Sequence, residues 1–488
     1  MVFSSSIFLF GFLPVLLIFY AVAWKINFRL ANIILLIFSM VFIFWGSGKD
    51  TLILLSMILI NYFAGLLLTK GNIDRILKKD EKRTPYQKFI LIVTLALSLG
   101  LLVYFKYAGF LADNAAGLLS RLGISVAVPD FVKNILLPLG ISFYTFQALS
   151  YTLDVYFGHV GSTRSLTNFA LYVAFFPQLI AGPIVRYADI YEQIEKRSID
   201  LNGVFRGMLR FMAGFIKKVL LANTVAKAAD SVFALASPEL TTGIAWVGII
   251  AYTLQIYLDF SAYSDMAIGL AKIFGFDLLE NFNLPYTAKS VQDFWRRWHI
   301  SLSTWFRDYL YIPLGGNRKG NARTYINLVI VFFVCGLWHG AAWNFVIWGI
   351  WHGLFLVLER AFLGRWLKKI PAFLSRIYTL LVVIVGWVLF RAASLGYAVK
   401  YLKALFIPQA FSGQLHRLPT EFLQNDIIIA FVFGIAASLG GILLLNNKSK
   451  EKGGVWRHAY IITVFVLFLV SVTSIYNGSY NPFIYFRF

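Results

Sequence analysis

The chain is poor in the residues on which metal centres and disulfide scaffolds depend. Its 488 residues include one cysteine, Cys335, which excludes an intramolecular disulfide and a cysteine-rich metal cluster. Its six histidines lack the short spacings that metal ligands need. Only 14% of the residues are charged, against about 25% in soluble domains. We therefore expect neither a protein-bound metal nor an ordinary soluble fold.

Apolar and basic residues are abundant instead. The chain is 59% hydrophobic and 17% aromatic, as is typical of a protein that crosses the bilayer many times. Lys and Arg number 44 against 23 acidic residues, for a net charge of +21. These basic residues fall in short loops between apolar segments. Positive-inside bias and contact with anionic lipid account for them, so nucleic acid is not an expected partner.

Hydropathy predicts an all-α, polytopic integral membrane protein with about 11–12 transmembrane helices. A spanning helix needs about 20 mostly apolar residues. The candidates are 5–24, 30–46, 51–69, 89–108, 135–157, 243–260, 324–338, 343–358, 377–391, 426–446 and 459–475, with a twelfth near 168–182. We predict one domain over 1–488, in which 459–488 is a last span followed by an external tail. The basic loops face the cytoplasm in this scheme, and both termini lie outside.

Two segments between these spans have a different character. The stretch FFPQLIAGPIVR contains two prolines and predicts a broken or re-entrant element, which is tolerated where it lines a cavity or is buried in protein. Residues 203–233 mix Arg and Lys with Phe, Met, Leu and Val. That mixture predicts an amphipathic helix at the cytoplasmic interface.

His339 is an ionisable residue inside an apolar, tryptophan-rich stretch, CGLWHGAAWNFVIWGIWHG at 335–353. Such a group usually lines a cavity or takes part in function. We predict that His339 is a general base for a hydroxyl nucleophile. His352 lies 13 residues later and, on a continuous helix, would face elsewhere, roughly 20 Å away. We interpret His352 as structural, and the two could share a site only if the helix is interrupted at 340–344.

The block QDFWRRWHISLSTWFRDYLYIPLGGNR at 292–318 is the second unusual segment. A single helix over 292–308 would place Arg296, His299, Ser303 and Arg307 on one stripe. Two arginines and a histidine near the cytoplasm suit a phosphate-rich carrier such as a coenzyme A thioester. The alternative is an interfacial helix whose arginines extend to water.

The C-terminal residues are apolar and aromatic, although an external tail is normally polar. Phe483, Tyr485, Phe486 and Phe488 favour burial. Two interpretations remain open at this stage. The tail either inserts back into the protein with the Tyr485 phenol directed inward, or it is an aromatic anchor at the membrane interface.

These motifs together resemble the membrane-bound O-acyltransferase (MBOAT) family, and in particular its bacterial alginate O-acetylase membrane-subunit branch. The resemblance covers nearly the whole chain. It rests on PLGISFYTFQALSYTLDVY at 138–156, FPQLIAGPIVR at 176–186, the 292–318 block, GLWHGAAWNFVIWGIWHG at 336–353 and the terminal FIYFRF. It implies a ring of helices around a funnel or tunnel, with the catalytic histidine, matched by His339, at its narrowest point. His299 matches a second, assisting position.

The resemblance also bears on Tyr485 and on Asp308 with the arginines near it, which match motif positions of the family. The terminal FxYxxF pattern is similar to a motif proposed as an acyl-tyrosine relay, which would make Tyr485 an acyl carrier. Substrate binding is assigned to residues near the two histidines: Arg296, Ser303, Arg307, Asp308, Trp338 and Asn344.

The expected function is transfer of acetyl from cytoplasmic acetyl-CoA, a substrate rather than a bound cofactor, for O-acetylation of an exopolysaccharide such as alginate. The implied location is the bacterial inner membrane. The expected partners are the bilayer and an extracytoplasmic SGNH-type acetyltransferase, with the polysaccharide as an indirect acceptor. D-alanyl or peptidoglycan acyl transfer is an alternative within the enzyme class. A polysaccharide or ion transporter is the alternative outside it.

Overall fold

The computed structural model describes residues 2–72, 76–78, 81–408, 417–441, 454–478 and 480–482. These residues form helices, turns and loops and contain no strand. The chain divides into two compact units, one of Met1–Leu201 with Phe274–Leu278, the other of Asn202–Ile273 with Leu279–Phe488.

The first unit contains nine helices among its described residues. They are α1 Leu13–Ile26, α2 Phe28–Ser47, α3 Thr51–Leu68, α4 Pro85–Arg121, α5 Asp130–Lys133, α6 Ile141–Phe157, α7 Leu166–Ala174, α8 Phe176–Leu179 and α9 Tyr187–Glu195. A wide π turn, Ile7–Phe12, leads into α1, and a 3₁₀ turn, Gly48–Asp50, joins α2 to α3. The proline-containing segment forms the four-residue α8 and then non-helical backbone, so the span considered near 168–182 is broken.

The second unit contains the remaining described helices and both predicted histidines. They are α10 Leu201–Ile216, α11 Asn223–Phe233, α12 Thr242–Ile273, α13 Val291–Arg297, α14 Ile300–Phe306, α15 Gly320–His339, α16 Trp343–Leu358, α17 Gly364–Leu367, α18 Ala372–Arg391, α19 Leu395–Phe406, α20 Asn425–Ser438 and α21 Gly454–Tyr476. Wide π turns continue α10 into α11 (Lys217–Ala222), extend α14 (Arg307–Tyr311) and join α16 to α17 (Glu359–Leu363). Short 3₁₀ turns lie at Ser237–Glu239, Pro285–Thr287 and Pro419–Phe422.

Eight helical segments of the described chain are long and apolar enough to cross a membrane. They are Ile7–Ile26, Phe28–Leu68, Pro85–Arg121, Thr242–Ile273, Gly320–His339, Trp343–Leu367, Ala372–Arg391 and Gly454–Tyr476. The segment Phe28–Leu68 joins two of the predicted spans through its 3₁₀ turn. The protein is therefore an all-α, multi-pass membrane protein.

The segment predicted as an interfacial amphipathic helix packs against α12. Residues 201–233 form one continuous helix. Gly207 and Gly214 lie so close to α12 that an added Cβ would come within 2.7 Å of the Gly269 carbonyl and 2.8 Å of the Ala262 carbonyl. The absence of side chains at these two glycines lets the helix backbones meet. One face of the segment is thus covered by protein, which hydropathy alone did not predict.

Candidate active site

His299 lies at a break between two short helices. Helix α13 ends at Arg297, Trp298 is extended, and His299 has a left-handed backbone with φ 43° and ψ 55° before α14 begins. The prediction of one helix over 292–308 is therefore wrong. The break turns His299 completely inward, while Arg296 on the preceding helix stays exposed. A non-glycine residue held at positive φ is costly and is found mainly where function requires it.

Asn281 holds the histidine in place. Its Oδ1 lies 3.2 Å from His299 Nδ1 and accepts hydrogen bonds from the backbone N–H and the hydroxyl of Ser301, at 3.2 and 2.9 Å. Its amide donates to Ser264 Oγ at 3.2 Å. The backbones are paired as well, because the Ile300 N–H donates to the Asn281 carbonyl at 3.0 Å. The loop before α13 and the break after it therefore form one hydrogen-bonded unit.

This arrangement determines which nitrogen of His299 carries the proton. Because Asn281 Oδ1 is an acceptor, Nδ1 carries the hydrogen, and the lone pair lies on Nε2. Nε2 is buried and has no hydrogen-bond partner among the described residues. Burial lowers the pKa of His299 to about 3, so the ring is neutral at physiological pH. Nε2 of the neutral ring can therefore accept a hydrogen bond from a hydroxyl or a thiol.

His339 is the last residue of α15. The chain leaves the helix at Gly340, which is extended, and returns as α16. Three aromatic rings surround the imidazole, with centroids 4.9 Å away for Trp338, 4.9 Å for Trp348 and 5.1 Å for Phe390. His339 retains 7% exposure. Aromatic side chains therefore make up much of the surroundings of this imidazole.

The Trp338 ring is a neighbour of both His299 and His339. Its ring centroid is 6.1 Å from that of His299 and 4.9 Å from that of His339. All three side chains are at least 93% buried. The structure thus brings together three of the predicted site residues from segments 40 positions apart in sequence. Two buried imidazoles that share one indole neighbour form an environment shielded from water, which suits the transfer of a hydroxyl proton.

His352 belongs to the same aromatic cluster but has the opposite tautomer. Its Nδ1 accepts a hydrogen bond from Trp295 Nε1 at 3.3 Å, so its hydrogen is on Nε2. The interruption at Gly340 lets α16 run back along α15, and Trp348 contacts both His339 and His352, at 4.9 and 5.2 Å. The helix is therefore interrupted between His339 and His352, which is the condition under which these two histidines could share a site. The hydrogen bond from Trp295 agrees with a structural role for His352.

The other predicted substrate-binding residues are more dispersed. Ser303 has a buried hydroxyl without a partner in the described structure. Arg307 is exposed and pairs with its neighbour Asp308 at 2.6 Å. Asn344 is buried and donates to the carbonyls of Leu389 and Ala392 at 3.3 and 3.1 Å, where it stabilises the end of α18. Tyr485 and the rest of the FxYxxF motif lie outside the described residues.

A cavity of about 1030 Å³ opens beside this site. Asn281 and Ile300, which flank His299 through the backbone pairing, both line it. The charged residues along its wall are Arg206, Arg210, Lys217, Asp265, Glu280 and Arg457. Asp265 accepts from Arg210 at 2.9 Å and from Lys217 at 2.6 Å. Within the described part of the chain no carboxylate pairs with Arg206 or Arg457, so these two cations remain available for an anion.

Neither Asn281 nor the charged lining of the cavity is predicted by a sequence motif. Asn281 has no motif of its own, and the basic residues of α10 were interpreted as interfacial. The two glycines that press α10 against α12 were the available signal. No group of three or more His, Cys, Asp or Glu side chains in the described ranges is placed to hold a metal ion.

The helical architecture defines an integral membrane protein, and comparison with known proteins gives its family. The model of the membrane-bound O-acyltransferase family, MBOAT, matches residues 40–396. The chain belongs to this family and is an O-acyltransferase. The transporter alternative is therefore wrong.

Relatives of known description match the chain along its whole length. A protein described as probable alginate O-acetylase AlgI from Pseudomonas aeruginosa is 45% identical, and its counterpart from Pseudomonas putida is 41% identical, each over 100% of both chains. A peptidoglycan O-acetyltransferase from Helicobacter pylori is 31% identical over 100% of this chain and 98% of its own.

Proposed function

We propose that this enzyme takes acetyl from acetyl-CoA in the cytoplasm and passes it across the bacterial inner membrane for O-acetylation of an exopolysaccharide, with alginate as the first candidate. The full-length similarity to proteins described as alginate O-acetylases supports the acetyl group and the polymer. D-alanyl or peptidoglycan acyl transfer remains the alternative. The last carrier would be an extracytoplasmic SGNH-type acetyltransferase that receives acetyl from this protein.

The cavity beside His299 is the proposed entry for the donor. Its volume of about 1030 Å³ is at the upper end of the roughly 300–1,000 Å³ typical of ligand sites. Arg206 and Arg457 offer guanidinium groups, which pair well with phosphate. The positive-inside pattern assigns this end of the second unit to the cytoplasm. A coenzyme A phosphate held there would direct the thioester toward Asn281 and the histidine behind it.

The single observation that carries the mechanism is the burial of His299 and His339 next to the same indole, Trp338. An acceptor hydroxyl oxygen attacks the thioester carbonyl carbon, so a C–O bond forms and the C–S bond breaks. His339 takes the hydroxyl proton and returns it to the leaving thiolate, which departs as coenzyme A. His299 accepts a hydrogen bond at Nε2 and orients the reacting group. The first acceptor is the Tyr485 phenol, which then passes acetyl to the partner.

His339→Ala tests this assignment. The variant should reach the membrane in normal amounts and lose polymer O-acetylation, because general-base catalysis contributes about 10²–10⁴-fold. Radiolabelled acetyl incorporated into the polymer is the measurement. His458→Ala is the matched control, since His458 is exposed on α21 and its ring contacts the Gly454 carbonyl. Normal polymer acetylation in the His339 variant would exclude His339 as the base.

A further inference from the structure

The last described residues of the chain lie against the helix formed by α10, its π turn and α11. Asn481 Oδ1 accepts a hydrogen bond from Asn223 Nδ2 at 3.1 Å, and the Pro482 carbonyl accepts one from Lys218 Nζ. The Tyr480 hydroxyl donates to Asp230 Oδ2. Three consecutive residues of the C-terminal segment are therefore each held by a polar side chain of the same helix.

The π turn explains why one helix can present this row of side chains. In a wide turn the backbone hydrogen bond joins residues five apart, and here the Asn223 N–H donates to the Lys218 carbonyl. Lys218 and Asn223 consequently lie above one another. Asp230 follows seven residues later, which is two turns of α-helix on the same face. Such single π turns occur frequently at functional sites.

Lys218 is an unusual residue for such a position. Its side chain is only 3% exposed, and its ammonium lies 2.8 Å from the carboxylate of Asp259, which is 5% exposed. A buried ammonium needs good partners, and an ion pair of this kind is weak evidence for a role in stability alone. The Pro482 carbonyl supplies a further acceptor from the C-terminal segment. The buried charge is thereby linked to the position of that segment.

Asp230 connects the segment to another helix. Its Oδ1 accepts from Arg391 Nη2 at 2.5 Å, at the end of α18, while Oδ2 accepts from Tyr480. Arg391 follows Phe390, one of the rings against His339. Asp230 therefore links the C-terminal segment to the helix end that packs beside the predicted base.

We propose that Lys218, Asn223 and Asp230 form a dock that holds the C-terminal segment and delivers the Tyr485 phenol to the acyl-transfer site. The proposal rests on the proposed function. Tyr485 is the third residue after Pro482, and three residue steps span at most roughly 10 Å. Holding Pro482 therefore restricts the space open to the acceptor and raises its effective concentration at the donor. Lys218 is in this sense a positioning residue.

A cross-linking experiment tests the dock itself. Asn223→Cys with Asn481→Cys is introduced into the full-length protein with Cys335→Ala, which removes the single native thiol. A short bis-methanethiosulfonate reagent should join the two cysteines in native membranes. Asn223→Cys with Trp456→Cys is the control pair and should not be joined, because Trp456 lies 20 residues before Tyr476 on α21, about 30 Å along the helix from the end that leads to Asn481. If the Asn223 and Asn481 pair does not cross-link, the dock does not exist.

A second experiment tests whether the dock serves acyl transfer. Tyr480→Phe combined with Asn481→Ala removes two contacts from the segment side and leaves the buried ion pair intact. Acetylation of Tyr485 by acetyl-CoA, measured by mass spectrometry, should fall about tenfold or more, whereas acetyl-CoA hydrolysis should persist. Tyr476→Phe is the matched control and should acetylate normally.

Different results would contradict the dock and the acyl relay through Tyr485. Equal Tyr485 acetylation in the wild type and the double variant would overturn the positioning role of the dock. Absence of Tyr485 acetylation in the wild type would instead refute the relay in the proposed function, and the cross-linking result would still decide whether the segment is docked. The paired change Lys218→Met with Asp259→Leu, which avoids an uncompensated buried charge, should reproduce the acetylation defect.

Discussion

Asn281→Asp is the most informative substitution at this site, because it keeps the shape of the side chain and adds a charge. In the native protein the neutral carboxamide accepts from His299 Nδ1, and burial holds the pKa of His299 at about 3. At the 3.2 Å between these atoms, a full negative charge in an effective dielectric of about 20 stabilises the imidazolium by about 5 kcal/mol. That energy corresponds to a rise in the pKa of His299 from about 3 to about 7.

The consequence is a change in the pH dependence of acetyl-CoA turnover. The proposed role of His299 requires the neutral ring, so protonation abolishes it. In the wild type this ring stays neutral over an assay range of roughly pH 5 to 8. In Asn281→Asp the rate should fall about tenfold per pH unit as the pH drops below about 7, and it should recover at higher pH.

The control for this experiment is Asn283→Asp. Asn283 lines the same cavity but is exposed. The substitution Asn283→Asp adds the same negative charge two residues from Asn281. It should leave the acid limb of the profile where the wild type has it. The reasoning is refuted if folded Asn281→Asp protein keeps the wild-type pH profile, because the protonation of His299 would then be irrelevant to turnover.

Three further outcomes follow from the same geometry. Arg206→Gln should raise the KM for acetyl-CoA about tenfold and leave kcat unchanged, because a phosphate contact stabilises the bound substrate and the transition state equally. Steady-state kinetics measures both constants, and Lys227→Gln, at an exposed position, is the control. An unchanged KM would exclude Arg206 from the donor site. Gly207→Leu should force α10 away from the backbone of α12 and lower the Tm of the purified protein, whereas an unaltered melting curve would contradict the close packing. His352→Leu should leave the Trp295 N–H without its acceptor and lower the free energy of unfolding by about 1–3 kcal/mol, while acetyl-CoA turnover persists. Loss of turnover in a folded variant would instead place His352 in the catalytic site.

Particular residues show how far sequence reasoning reached. Hydropathy and composition predicted a multi-pass helical membrane protein, and motif order predicted the MBOAT family, both of which are confirmed. The helical period failed at 292–308, because His299 adopts a left-handed backbone that no periodicity rule includes. The break at Gly340 was foreseen only as a condition, and the structure meets it. The catalytic assignments of His299, His339 and Tyr485 remain predictions.

The amino-acid sequence by itself indicated a helical membrane protein, because apolar runs of sufficient length cross the bilayer. It also indicated the family, because long motifs in a fixed order identify relatives. Tertiary structure alone decided which nitrogen of His299 is free and which basic residues line a cavity. A hydrogen bond joins Asn281 to a residue 18 positions away, and α10 faces α12 through glycines that carry no side-chain signal. Such contacts depend on which segments meet in space, and local pattern does not contain that information.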